Sequence, residues 1–465
     1  MGNNFLDNMV DLAKALEAGS YNAAPGTLVQ GSALQIENLS PVMHNVTFGD
    51  KHLILQKMLD VKPVKSNLVQ FNRCLGYGSF AGAAVIEGAV GEENTGDYVR
   101  EVVPMAYYAE RRRVTVQANM VESFDGVKAE DREADAAAKK IAGAIELDLF
   151  RGKADFANAG VFDGNPLVIP ALPNMLGLDA QIRQSDNQAK AKDQMFSEYG
   201  SDLSAVVNAG GLLTQSLIED VAARSAMGFG TADKLLVDPL VLSAYNKNAF
   251  GKERINLGNA PQGATGAELR TQWTSSGSVT LEASRFLSGK WKPRVSQNAP
   301  GVPSFSAPTA GAGSTSFAAG TYVYYVTGCN ELGESVAAAS QSVAVTATQQ
   351  VTFTITAGTG TTRYFNVYRS AAGGTTATAK FIGSYMNSAG TAAVIDLNNK
   401  IPGFVTGFLV QGDAMGIKEL APYSRKKLAE TDLSIPEAHF RFACLCVTDP
   451  RKMVVVDSLS SAFTA

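Results

Sequence analysis

The side chains best suited to acid–base, nucleophilic or metal chemistry are scarce in this sequence. Its histidines are His44, His52 and His439, and its cysteines are Cys74, Cys329, Cys444 and Cys446. A structural zinc site needs four such ligands at short paired spacings, and only Cys444 and Cys446 lie close together. Two residues apart on a strand, they turn to one face and read as two small apolar residues. No HExxH helix, no phosphate-binding glycine loop and no GxSxG nucleophile elbow occurs. Glu92, Glu93 and Asp97 are the residue types that cleave glycosides in pairs. They sit, however, in or beside a glycine-rich stretch, 88–96, rather than at the end of a pocketed strand. The run Arg111, Arg112 and Arg113 has the chemistry to hold phosphate, yet on a strand Arg112 faces away from the other two. Ion pairs with acids of a neighbour, or a solvated face, fit that run better. The expected catalytic, cofactor-binding and metal-ligating residues are therefore none.

Composition points the same way. The chain has 465 residues, 40 Lys+Arg against 44 Asp+Glu, and a formal net charge of −4. A dedicated nucleic-acid binder carries a clear basic excess, which is absent here. Only 18% of residues are charged while 45% are hydrophobic, so much of the surface is suited to contacts with copies or partners. At roughly 150 residues per domain, two or three domains are expected. The first twenty residues contain acids and no continuous apolar core, so no signal peptide is expected, and no apolar run reaches the length of a membrane span. Four cysteines without a pairing framework suit synthesis in a reducing cytosol.

The elements that could position any site follow from periodicity. Phe5, Met9, Leu12 and Leu16 recur at helical spacing, which predicts a short amphipathic helix that must dock on something to persist. Residues 27–71 read as an extended arm with one short helix near 51–59. Residues 72–120 have strand-like ends and a Gly/acid-rich middle, the pattern of a long two-stranded ribbon with a polar tip. Its returning strand is expected to place Arg112, Val114, Val116 and Ala118 on one face. From 131 to 151 the period becomes helical, with Ala134, Ala137, Ala138, Ile141, Ile145 and Leu149 in one stripe. Asp131, Glu133 and Asp135 in its first turns complement the helix dipole. Residues 160–300 mix strands and helices, with helices expected over 212–227 and 239–248. From 298 to 400 the composition turns to Gly, Ala, Thr and Ser, and six short alternating runs predict a β-sandwich. Its core is expected from Tyr322, Tyr324, Val326, Phe353, Ile355, Tyr364 and Val367, or from the opposite face of the same strands. The host pattern resumes after 401, as it does when a domain is inserted at a loop.

The order of arm, long ribbon, long helix and α+β body resembles the major capsid protein of tailed bacteriophages, the Hong Kong 97 fold. The segments that carry the resemblance are ENLSPVMHNVT with LILQKMLDVKPVKSNLVQFNR, GEENTGDYVREVVPMAYYAERRRVTVQANMV, and IKELAPYSRKKLAETDLSIPEAHFRFACLCVTDPRKMVVVDSL. The runs YVYYVTGCNELGES and YFNVYRSAAGG resemble a fibronectin type III or immunoglobulin-like domain, without the usual core Trp. The resemblance implies an α+β capsid fold: an N-terminal arm (1–71), an E-loop (72–120), a peripheral (P) domain with a spine helix and an axial (A) domain (121–297), an inserted Ig-like sandwich (298–400), and a return to the P/A core (401–465). It implies a shell subunit that assembles with itself as hexamers and pentamers in the virion, after synthesis in the host bacterial cytoplasm. Portal, scaffold and decoration proteins are implied partners, with packaged double-stranded DNA in weak contact and a host-surface polymer on the sandwich. No cofactor and no membrane are implied. The family's Lys–Asn cross-link is not expected, because residues 76–121 contain no Lys. The contact residues expected between subunits are Phe5, Met9, Leu12, Leu16, Glu92, Glu93, Asp97, Arg111, Arg112 and Arg113. A surface adhesin displaying the sandwich, or a carbohydrate-active enzyme with an accessory module, are the alternatives.

Overall fold

The computed structural model describes residues 47–77, 84–121, 127–152, 175–183, 205–249, 270–288, 299–313, 317–330, 333–398, 401–430 and 432–460, apart from 92, 94 and 232. Phe5, Met9, Leu12, Leu16 and Glu92 lie outside them, as does the side chain of Asp97. Among the described residues the architecture is mixed α+β, with four sheets and a separate two-stranded ribbon.

A four-stranded sheet runs in the order Val61–Pro63, Met415–Lys427, Ser434–Val447, Ala106–Thr115. The long helix Ala129–Arg151 crosses one of its faces. Ala137, Ile141, Ile145 and Leu149 of the expected stripe are buried there, against Ile417, Ala443 and Leu445 of the sheet. Glu130 and Asp131 occupy the first turn and Arg151 the last, so the end charges agree with the helix dipole. Gly143 lets Phe48 close on the helix, where an added Cβ would meet the ring at 2.5 Å.

A six-stranded sheet has the order Val206–Gly211, Val454–Leu459, Val405–Val410, Lys234–Val237, Gly277–Ala283, Thr271–Thr274. The helices Gln215–Met227 and Pro239–Ala249 bury Ile218, Val221, Val241 and Tyr245 in its second core. Thr214 caps the first of these helices by accepting the Leu217 amide, the role a Thr performs well at that position.

Residues 304–396 build two antiparallel sheets that share no strand with the rest of the chain. Each of the six alternating runs forms a strand, and a short strand, Gly333–Glu334, follows the first of them. Tyr322, Tyr324, Val326, Phe353, Ile355 and Val367 fill the core between the sheets. Tyr364 is not among the buried core residues; Phe365 takes that place, because side chains alternate and only one of two neighbours can point inward. At one end the sheets are clasped by a buried ion pair, Arg369 Nη1 to Asp396 at 2.6 Å, with Tyr324 donating to the same carboxylate and Phe317 under the guanidinium. Asp396→Ala takes the carboxylate from a guanidinium that is only 1% exposed and leaves it the amide oxygen of Asn398, which costs about 3–5 kcal/mol. Limited proteolysis of the whole chain is expected to cut within 304–396 in this variant and to spare it in the parent; equal resistance would show that the clasp is dispensable.

Among the described residues the strands Leu68–Gly76 and Asp97–Pro104 pair only with each other and form the ribbon. It is narrower than the interval 72–120, because Ala106–Thr115 belongs to the four-stranded sheet. That strand also stops earlier than its alternation suggests. Thr115 accepts the Ala118 amide and starts the short helix Val116–Met120, so Val116 and Ala118 do not extend the strand face.

Candidate assembly surface

Among the described residues the ribbon is anchored at its root and exposed towards its tip. At the root Val69, Val103 and Met105 pack on Cys444 and Cys446 of the sheet face opposite the long helix. Both cysteines are buried on that one face. Arg73 donates from Nη2 to the Val447 carbonyl at 2.6 Å, from Nε to the Thr448 carbonyl at 2.8 Å, and from Nη1 to Glu101 at 3.0 Å. Towards the tip the packing ends. Tyr98 is 71% exposed, Tyr77 80%, Ile86 82% and Val90 95%, and Glu87 and Glu93 are exposed beside them. A two-stranded ribbon buries too little to hold such a tip in water by itself, so its apolar side chains are surface available to a partner.

The three arginines separate as their alternation demands. Arg112 turns to the long helix and pairs with Glu110 at 2.7 Å and Glu133 at 3.0 Å. Arg113, on the other face, pairs with Asp432 and donates to Ser434. Arg111 shares that face and is exposed. The run is thus divided between the helix face and the opposite face, where the charge of Arg111 also acts on Asp432. Of the expected acids, Glu93 is exposed near the tip, and Asp97 begins the returning strand opposite Gly76.

Sequence reasoning missed the polar seam beneath the long helix. Arg425 reaches Glu437 at 2.6 Å and also binds Glu130, and Lys427 reaches Glu130 at 3.1 Å. These contacts hold the carboxyl of Glu130 below its ordinary range against its desolvation. His439 is fully buried, with Nδ1 2.9 Å from Tyr423 Oη. Further along, Glu146 accepts the amides of Leu55 and Gln56 at 2.8 and 3.1 Å, which ties the short helix Ile54–Met58 to the long one. Burial pushes that carboxyl up, while the same amides pull it down. The Glu–x–Asp pair Glu146 and Asp148 in an otherwise apolar stretch was the available signal.

Asp148 accepts from Tyr108 Oη at 2.8 Å, and desolvation raises its carboxyl to about 7. A carboxyl raised on folding contributes stability that is fully present below its unfolded value and is lost as pH climbs through 7. Thermal melts of the parent are therefore expected to fall between pH 5 and pH 8 by more than those of Asp148→Asn. Parallel pH profiles would contradict this placement of Asp148.

Among the described residues no group of three His, Cys, Asp or Glu is arranged to hold a metal, and no helix is long and apolar enough to cross a membrane. No family model matches the chain. Among curated proteins it is similar to the major capsid protein of Staphylococcus phage K, with 21% identity over 282 residues, 60% of this chain and 54% of that protein. The major capsid protein of Staphylococcus phage S25-3 is similar at 20% over the same length. The chain thus spans about half the length of the curated relatives it matches. Among solved structures it is similar to the capsid of a native GTA particle, at 11% identity and a TM-score of 0.47, covering 94% of this chain and 100% of that one. It is also similar to the capsid of Myoviridae phage XM1, at 11% identity and a TM-score of 0.40, with 94% and 100% covered.

Proposed function

We propose that this chain is a major capsid protein of the Hong Kong 97 type, a structural subunit that assembles into the shell of a tailed phage. The observation that carries the reading is the ribbon: a root fixed by Arg73 and a tip whose large apolar side chains have no core of their own. A strap of that kind gains its packing from the next subunit, so exposed area in the single chain becomes interface area in the shell. The similarity to phage major capsid proteins supports the same conclusion.

In this reading the arm is 1–71, the E-loop 72–120, the P and A domains 121–297 with 401–465, and the inserted sandwich 298–400. The insertion is supported by its flanks: Gly277–Ala283 and Val405–Val410 belong to one sheet, with Lys234–Val237 between them. The chain is a component of the virion, made in the host cytoplasm, and its partners are further copies of itself in hexamers and pentamers. The portal, scaffold and decoration proteins and the packaged DNA are the remaining contacts, the DNA held weakly because the chain has no basic excess. The sandwich faces outward, where it attaches weakly to host-surface or environmental polymers or adds grip between neighbouring capsomers. Negative-stain microscopy of the purified product tests the function directly. Closed shells are expected; fibres would identify an adhesin, and isolated globules at high concentration would overturn the shell reading.

A further inference from the structure

Three sulfurs gather under the root of the ribbon. Cys444 and Cys446 are reduced, with Sγ to Sγ 4.0 Å, on the face of the four-stranded sheet away from the long helix. Both are almost fully buried, at 0% and 1% exposure. The third sulfur comes from the neighbouring strand. Ala106 pairs with Ala443, so Met105, one residue before it, continues the register towards Cys444. Cross-strand neighbours have Cβ atoms about 5 Å apart, within reach of a methionine side chain. Met105 is itself buried and packs in the same cluster as the two cysteines. On the other flank Gly416 lies opposite Cys446 and adds no side chain, while Lys418 lies opposite Cys444.

We infer that Cys444, Cys446 and Met105 bind a monovalent soft metal ion, Cu(I), in a three-sulfur site beneath the ribbon root. Thiolate and thioether are the ligands that select Cu(I) over harder cations. The spacing fits such an ion. Bonds of about 2.3 Å to each thiolate, a common metal–thiolate length, span the observed 4.0 Å at an angle of about 120°, that of a trigonal centre. Charge fits as well. Two thiolates around one monovalent cation keep a net negative charge, and the cations of Lys418 and Arg73 act on Cys446 with the opposite sign. Each S–H bond that breaks gives its proton to solvent and a sulfur–metal bond replaces it, so binding needs no oxidant. Zinc fits less well, because a structural zinc takes four ligands and the described cluster offers three sulfurs and otherwise only apolar side chains. Entry is by parting of the root from the sheet. The ribbon strands pair with each other among the described residues, so the root lifts without breaking a ladder to the sheet.

Anaerobic titration of the whole chain with Cu(I), in competition with a chromophoric chelator, tests the site. A Cys74→Ser background removes the exposed thiol. One ion per chain is expected, with about two protons released on binding and a melting temperature that rises with copper. Cys444→Ala with Cys446→Ala is expected to lower the affinity about a hundredfold or more and to abolish that rise. Met105→Leu conserves core volume and keeps both thiols. It is expected to weaken binding about tenfold while leaving the copper-free melt in place, so the test survives a double cysteine variant that does not fold. Zn(II) alone should not raise the melting temperature. The site is overturned if the Cys74→Ser chain takes up no copper. It is equally overturned if the double cysteine variant binds one ion as tightly as its background, which would move the ion to Cys329, if Met105→Leu binds copper undiminished, or if Zn(II) stabilises as much as Cu(I). These outcomes are independent of the shell reading, which is decided by assembly of the unmodified chain.

Discussion

Ile141→Asp is expected to leave almost no soluble protein. Ile141 is 4% exposed and lies in the largest apolar cluster, between the long helix and the four-stranded sheet. A carboxylate there loses its hydration among apolar side chains, and the arginines of that sheet face already hold partners, Arg112 with Glu110 and Glu133 and Arg441 with Glu419. Burying such a group unpaired costs several kcal/mol, a large share of the 5–15 kcal/mol that holds a typical domain together. Ala136→Asp provides the control. Ala136 is exposed on the same helix, near its positive end, so the same charge should leave yield and melting temperature almost unchanged. Soluble, shell-forming Ile141→Asp would show that the stripe is not packed.

Deleting residues 88–96 is expected to separate folding from assembly. The described residues of that segment add nothing to any of the four apolar clusters, and Val90 within it is 95% exposed. The root contacts of Arg73, Val69 and Val103 lie outside the deletion. The shortened chain should therefore give circular dichroism and a melting temperature close to those of the parent, yet sediment as subunits instead of shells. Shells at normal yield would remove the ribbon tip from the assembly interface. A chain that loses its melting transition would show instead that the tip supports the fold.

The two variants act on different parts of the protein because the apolar clusters and the open surfaces hardly overlap. Core substitutions act through burial within one chain and are felt before any partner is met. On the proposed reading, the ribbon tip acts only when a second copy supplies what it lacks. The same division applies to the arginine run. Arg112 is tied to Glu110 and Glu133 beneath the helix, so its removal tests stability, whereas Arg111 is exposed.

Some of this was legible in the sequence because it is local. The long helix follows from spacing alone: apolar residues every three or four positions leave one stripe to bury, and Ala129–Arg151 is the result. Six strands between 320 and 396 follow from alternation in the same way, as does the shared face of Cys444 and Cys446, whereas the short strands Ser304–Phe305 and Thr309–Ala312 do not. The scarcity of histidine, cysteine and phosphate-loop glycine patterns needed no structure to be seen. What periodicity does not carry is the identity of the surface that receives a face. Ser434–Val447 pairs with Ala106–Thr115 across more than three hundred residues, and only that register places Arg111 and Lys426 on either side of Ala438. The buried polar groups are of the same kind. Arg369 looks like a surface residue until Asp396 closes on it, and Glu146 like a solvated helix acid until it accepts the Leu55 and Gln56 amides. Thr115 ends its strand because a side-chain hydrogen bond favours a helical turn over two more extended residues. The sequence by itself determined which faces had to be covered; the tertiary structure decided by what, because pairing energies depend on partners far away in the chain.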